Sequence, residues 1–264
     1  MPDSDYPEAG RAFCRLLRVM DTLRAQCPWD RQQTFESLRH LTIEEVYELG
    51  DAILRQDDSD LRKELGDLLL HIVFYAKIGS ERGTFNITDV LNHLGQKLID
   101  RHPHIYGDVH APDAETVKQN WEKIKLRQKE GKGVLGGVPE ALPALVKAQR
   151  IQDKAAGVGF DWKSKNQVWK KVEEEMEELK NAEDHDPAKV EEEFGDLLFA
   201  LVNYARFLNI NAEDALEKAN RKFIERFQAM ERMASEKGLE LSTLTLSQMD
   251  VLWESVKNAE RPTD

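Results

Sequence analysis

The chain repeats itself, and what repeats is helical and acidic. Glu44-Glu45-Val46-Tyr47-Glu48-Leu49 returns as Glu174-Glu175-Met176-Glu177-Glu178-Leu179. Glu64-Leu65-Gly66-Asp67-Leu68-Leu69 then returns as Glu193-Phe194-Gly195-Asp196-Leu197-Leu198, in the same register to within one residue. Further on, Lys97-x-x-x-Arg101 pairs with Lys222-x-x-x-Arg226. A tandem duplication limits a chain of 264 residues to two similar domains, each burying its own apolar face.

The apolar spacing gives those domains their class. Leu16, Leu17, Met20 and Leu23 fall on one helical face; so do Leu61, Leu65, Leu68, Leu69, Ile72, Val73 and Ala76, and later Val190, Phe194, Leu197, Leu198, Leu201 and Val202. Alternating strand-like runs are scarce, which predicts an all-α fold of two tandem helical bundles. Thr42 three residues before Glu45, Asp186 before Pro187, and Asn211 before Ala212 and Glu213 read as helix starts. Gly131, Gly133, Gly136, Gly137, Pro139 and Pro143 interrupt the pattern. The expected organisation is a first domain over 1–130, a linker over 131–144 and a second domain over 145–264. The Gly-Lys pair inside that break is no phosphate loop, because Lys132 is followed by Gly133 rather than Ser or Thr and no strand precedes it.

A net charge of −12 opposes phosphate backbones, so no nucleic-acid partner is expected. No apolar run reaches the roughly 20 residues of a membrane span, and the first residues lack the basic and apolar parts of a signal peptide. Cys14 and Cys27 read as reduced thiols, and the expected location is cytoplasmic.

The duplicated acids carry the chemistry. Residues three apart lie one turn above each other on a helix, so Glu175 and Glu178 point the same way, as do Glu193 and Asp196 on the next helix. A short connection makes those helices antiparallel neighbours, and four carboxylates then converge at the edge of an apolar interior. Such a group takes up protons or binds a cation. Hard oxygen donors without His or Cys select Mg²⁺, with Mn²⁺ as a substitute. A solvated glutamate face is the bland reading, but the spacing recurs, and Gly66 and Gly195 each cost about 1 kcal/mol inside a helix. Such small residues beside a ligand suit a close approach of helices or substrate. A di-iron bundle would need Glu-x-x-His pairs, and none of the seven histidines has Glu three residues earlier. His71 has Ala200 as its counterpart and reads as packing; His102 and His104 flank Pro103 at a helix exit. Lys222 and Arg226 share a helix side, which suits a polyphosphate clamp.

These ordered motifs resemble the MazG-like all-α nucleoside triphosphate pyrophosphohydrolase family. Cys27-Pro28-Trp29-Asp30, Arg101-His102-Pro103-His104, Gly159-Phe160-Asp161-Trp162 and Lys218-Ala219-Asn220 extend the likeness over nearly the whole chain. The resemblance implies Mg²⁺-dependent cleavage of a nucleoside triphosphate between the α and β phosphates, giving a monophosphate and diphosphate. It implies that Glu175, Glu178, Glu193 and Asp196 hold the metal, with Glu192 or Glu174 orienting or deprotonating the attacking water. It assigns Lys171, Lys189, Lys222 and Arg226 to phosphates, with Asn220 nearby, and Trp253 and Lys257 to the nucleotide. It also implies a homodimer whose catalytic half is the second. The first domain keeps Glu45, Glu48, Glu64 and Asp67 but has Gly95 where the second has Asn220, so an assembly role is expected for it. Two other readings compete: a non-catalytic helical scaffold or regulatory protein that binds Mg-nucleotide, and a phosphatase that removes only the terminal phosphate. Base preference is not readable from the motifs.

Overall fold

The computed structural model describes residues 6–113, 116, 117, 120, 121, 124, 125 and 133–259. Regular structure among them is entirely helical, and the chain divides into two compact units, Met1–Val117 and Lys118–Asp264. No helix among the described residues is long and apolar enough to cross a membrane.

The first unit contains α1 (Pro7–Gln26), α2 (Pro28–Gln32), α3 (Phe35–Arg55), α4 (Asp58–Glu81), α5 (Ile87–Arg101) and α6 (Pro103–Tyr106). Its centre is the α3–α4 hairpin. Gln56 turns the chain in the left-handed region at φ 55°, and Asp57 caps α4 by accepting from the Ser59 and Asp60 amides, each at 3.0 Å. Helix α1 lies against α4, so Met20, Leu38, Val73, Phe74 and Ile78 make one buried cluster. Gly79 is required where α4 meets the following turn, because a Cβ there would sit 2.8 Å from the Phe85 ring. The apolar stretch 68–76 divides by face: Val73, Phe74 and Ala76 are buried, while Leu69, Leu70 and Ile72 remain exposed.

The second unit contains α7 (Ala144–Ala156), α8 (Lys165–His185), α9 (Val190–Phe207), α10 (Ala212–Glu236), a 3₁₀ turn (Leu241–Thr243) and α11 (Leu246–Ala259). Helices α8 and α9 form the matching hairpin, with α7 laid against α9 and α10. Val168, Val172, Ala200 and Val202 are buried there, and Met230, Ala234, Leu252 and Val256 join α10 to α11. Residues 133–143 form turns, while residues 131 and 132 of the expected linker lie outside the described residues. This turn segment is held to α7 by Lys154, whose buried ammonium donates to the Val134 carbonyl at 3.1 Å.

Two of the three expected helix starts are corrected. Thr42 lies inside α3, where its hydroxyl bonds back to the Leu38 carbonyl; Thr34 and Ser37 form the real capping box eight residues earlier, ahead of Leu38. Asp186 ends α8 rather than starting α9, because Pro187 begins a turn before the helix resumes at Val190. Asn211 does cap α10, accepting from the Asp214 amide at 3.1 Å.

Candidate active site

Buried valines on one side of α8 dock it on α9, and the acids follow at the border of that seam. Carboxylate oxygens of Glu175, Glu193 and Asp196 all lie within 4.8 Å of one another. Glu175 is only 5% exposed; one oxygen accepts from the Lys171 ammonium at 2.7 Å, and the other, Oε2, has no protein partner. Lys171 also holds Glu174 at 2.6 Å, and these two hydrogen bonds push its pKa up. Glu178 stands beside the cluster. Desolvation raises its carboxyl above the usual range, and a hydrogen bond with Glu175 and the charges of Glu175 and Glu193 add to that.

An acid triad with one ammonium and an orphaned buried oxygen is under-neutralised. An oxygen-seeking divalent cation fits this donor set, since it would satisfy Glu175 Oε2 and offset the mutual repulsion of the carboxylates.

The first unit carries a related cluster on its own hairpin, with Glu48 in it where the second has Asp196. Glu45, Glu48 and Glu64 oxygens also lie within 4.8 Å of one another, and Glu64, 2% exposed, pairs with Lys63 at 2.8 Å while its Oε2 has no partner. Burial raises the Glu45 carboxyl, followed by the charges of Asp67, Glu48 and Glu64.

The units differ behind the acids. In the second, a cavity of about 650 Å³ opens beside them, with Lys171, Glu175 and Asp196 along one side. Its other walls come from the turn segment (Val134, Leu135), from α7 (Ile151, Gln152) and from the loop after α7 (Phe160, Trp162). In register, Ala200 and Asn203 of this wall correspond to His71 and Phe74 of the first unit. Those larger side chains are buried. His71 Nδ1 lies 2.9 Å from the Thr42 hydroxyl, which is 2.6 Å from the Tyr75 hydroxyl, and burial lowers the His71 pKa. His71 is a packing residue, as its sequence context predicts, and so is His102, which bonds the Leu98 carbonyl at the end of α5.

Other expected site residues stand on neighbouring elements. Lys189 and Glu192 are exposed around the first turn of α9. Asn220, Lys222 and Arg226 lie on α10, with Asn220 3.5 Å from Glu217. Trp253, on α11, packs on the Met230–Val256 cluster with its ring 5.3 Å from that of Phe223, and Lys257 pairs with Glu254 at 2.6 Å. Of the expected substrate contacts, Lys171 alone lines the cavity. Gly66 and Gly195 do not admit a neighbouring helix, since a Cβ at either would meet nothing within 4 Å. Gln152 and Asn203 line the cavity without any motif to announce them; the one legible sign is the replacement of His71 and Phe74 by smaller or polar residues.

The model of the MazG nucleotide pyrophosphohydrolase domain matches residues 33–106 and again 163–230, so it covers both hairpins. The chain is 48% identical over 257 residues to the nucleoside triphosphate pyrophosphohydrolase/pyrophosphatase MazG of Thermotoga maritima, covering 96% of this chain and 98% of that one. It is 45% identical over 255 residues to the nucleoside triphosphate pyrophosphohydrolase of Escherichia coli K12, covering 93% and 97%. The enzyme of that name from Mycobacterium tuberculosis is 36% identical over 161 residues, 60% of this chain and 48% of its own. With both acid hairpins inside the matched segments, this chain belongs to the MazG nucleotide pyrophosphohydrolase family.

Proposed function

We infer that this chain hydrolyses nucleoside triphosphates to monophosphate and diphosphate, with Mg²⁺ held in the second unit by Glu175, Glu178, Glu193 and Asp196. The observation that carries this reading is the buried, partnerless oxygen of Glu175 within an acid cluster that opens onto a cavity. The names of the T. maritima and E. coli relatives supply the reaction. A divalent ion bound there supplies Lewis-acid polarisation of phosphoryl oxygens and a water acidic enough to react near neutral pH; Mn²⁺ offers the same chemistry.

The protein's own groups divide the remaining work. Lys171 bridges Glu174 and Glu175, at 2.6 and 2.7 Å, and so fixes both carboxylates beside the cluster. Glu192 is the better proton acceptor for the attacking water, because Glu174 is engaged by Lys171. Lys189, Lys222, Arg226 and Lys257 provide cationic partners for the phosphate oxygens, with Asn220 as a neutral donor and Trp253 as an aromatic face. Reaction with ATP and Mg²⁺ is expected to yield AMP and diphosphate. ADP with phosphate would instead indicate removal of the terminal group alone, and no product would indicate a binding scaffold.

We also propose a homodimer, with the first unit serving assembly. Leu65, Leu69 and Ile72 are 53%, 37% and 48% exposed, and their counterparts Phe194, Leu198 and Leu201 are likewise uncovered at 52%, 42% and 40%. Matching apolar stripes on both hairpins suit a second copy of the chain. A strictly monomeric mass by light scattering would refute this. Cys14 and Cys27 are unpaired thiols, in keeping with a reducing cytoplasm.

A further inference from the structure

We propose that Lys63 takes the cation's place at the first acid cluster, and that Lys63 together with Asp60 turns this cluster against the metal–polyphosphate complex that the second cluster receives. This rests on the nucleotide-hydrolysing reading above and concerns the copy to which that reading gives no chemistry.

Register gives the first argument. With Glu64 set against Glu193, Asp60 falls where the second unit has Lys189, and Lys63 falls where it has Glu192. Each pair is three residues apart, one helical turn, near the start of the second helix of its hairpin. The signs are inverted. The second unit presents a cation and then a carboxylate; the first presents a carboxylate and then a cation. A metal–polyphosphate complex makes opposite demands with its two ends, since the ion is repelled by an ammonium and the phosphates by a carboxylate. Lys189 and Glu192 suit both ends, whereas Asp60 and Lys63 oppose both.

Contacts give the second. The Lys63 ammonium lies 2.8 Å from Glu64 Oε1, and its charge is also felt by Glu45 and Glu48, the other two acids of the triad. A divalent ion placed on the first cluster would meet that ammonium on the same carboxylate, so the donor set that fits such an ion in the second unit does not fit it here. The second cluster is neutralised from the other helix of its hairpin: Lys171 on α8 divides its charge between Glu175 and Glu174, and only the former belongs to the triad. The residue in register with Lys171 is Leu41.

Exposure gives the third. The Lys63 side chain is 63% exposed while that of Glu64 is 2% exposed, and an ion pair with so solvated a partner adds little to stability. Its effect is therefore on which charge the cluster accepts. Without the ammonium, both oxygens of a buried carboxylate would be unneutralised, because Glu64 Oε2 already has no hydrogen-bond partner among the described residues. A divalent ion then becomes the complement of the first cluster, as it is of the second.

The test counts Mn²⁺ bound to the full chain at submillimolar free ion, read from the spin-resonance signal of the unbound metal, with no nucleotide present. Glu64→Gln in the natural chain should leave the count unchanged. Lys63→Glu, which restores the sign found at Glu192, should add at least one ion by tightening the first cluster about tenfold or more. Lys63→Gln should act in the same direction by less, and adding Glu64→Gln to either variant should abolish the gain. Both Lys63 substitutions fall on an exposed side chain, so the helical circular dichroism should persist. The proposal is overturned if Glu64→Gln removes an ion from the natural chain, or if neither Lys63 variant adds one. Conversion of ATP to AMP and diphosphate is assayed separately, so failure of the charge inversion and failure of the hydrolytic reading are distinguishable results.

Discussion

Glu64 and Glu193 occupy the same position in two copies of one hairpin, and each belongs to a triad of carboxylates within 4.8 Å. The second copy has a cavity of about 650 Å³ beside that triad; the first has Phe74, 3% exposed, and the Thr42–His71–Tyr75 chain of polar contacts behind its own. The comparison separates two requirements that a family motif merges. Acids at the right spacing create a place for a cation, while space behind them creates a place for the rest of a substrate.

The largest effect should come from testing the acids in parallel. Glu193→Gln is expected to lower kcat by about a hundredfold or more, since it removes an anionic ligand from the reacting centre. Glu64→Gln, the same change in the filled copy, should leave turnover nearly intact in a steady-state assay. Equal losses would mean that both copies react.

Stability should show the opposite order. Phe74→Ala empties a packed interior and should cost about 3–5 kcal/mol in denaturant unfolding. Asn203→Ala, in a wall already open, should cost no more than about 1 kcal/mol, largely from the bonds to Arg206. A comparable cost at both sites would show that the second cavity closes up in solution.

The smallest effect concerns protons. The raised carboxyl of Glu178 means that the fold disfavours its charged form, so its destabilising contribution is present at neutral pH and disappears as pH falls and the group protonates. Glu178→Gln should therefore raise the melting temperature slightly at pH 7 without divalent cation, with the gain shrinking toward acidic pH. Saturating Mg²⁺ should reverse the sign at pH 7, because the variant then lacks a ligand. Melting curves with and without Mg²⁺ at several pH values measure both trends.

The helices and the acid pairs were legible in the sequence because each depends on local spacing. Leu61 to Ala76 marks α4 by its period, and Glu175 with Glu178 falls on one face by helix geometry alone. Helix starts were harder to read: Thr42 carries a capping pattern that packing overrides, since Phe35 and Leu38 extend α3 past it. The cavity was not legible. It is assembled from Val134, Gln152, Phe160 and Ala200, which are far apart in sequence, and a void is defined by side chains that are small or absent. Residues 133–143 illustrate the point, reading as a bare connection by their glycines and prolines while Val134 and Leu135 serve as walls.

The clasp between Arg206 and Asp161 has a consequence for how the protein responds to its solvent. Two bonds, at 3.0 and 2.5 Å, join side chains that are only 16% and 26% exposed, and at about 1 M salt the Debye length is still about 3 Å, so dissolved ions screen this contact little. Phe160 and Trp162 owe their placement to that clasp. Rising ionic strength should therefore leave this aromatic lip in place while it weakens attraction at exposed cations such as Lys189.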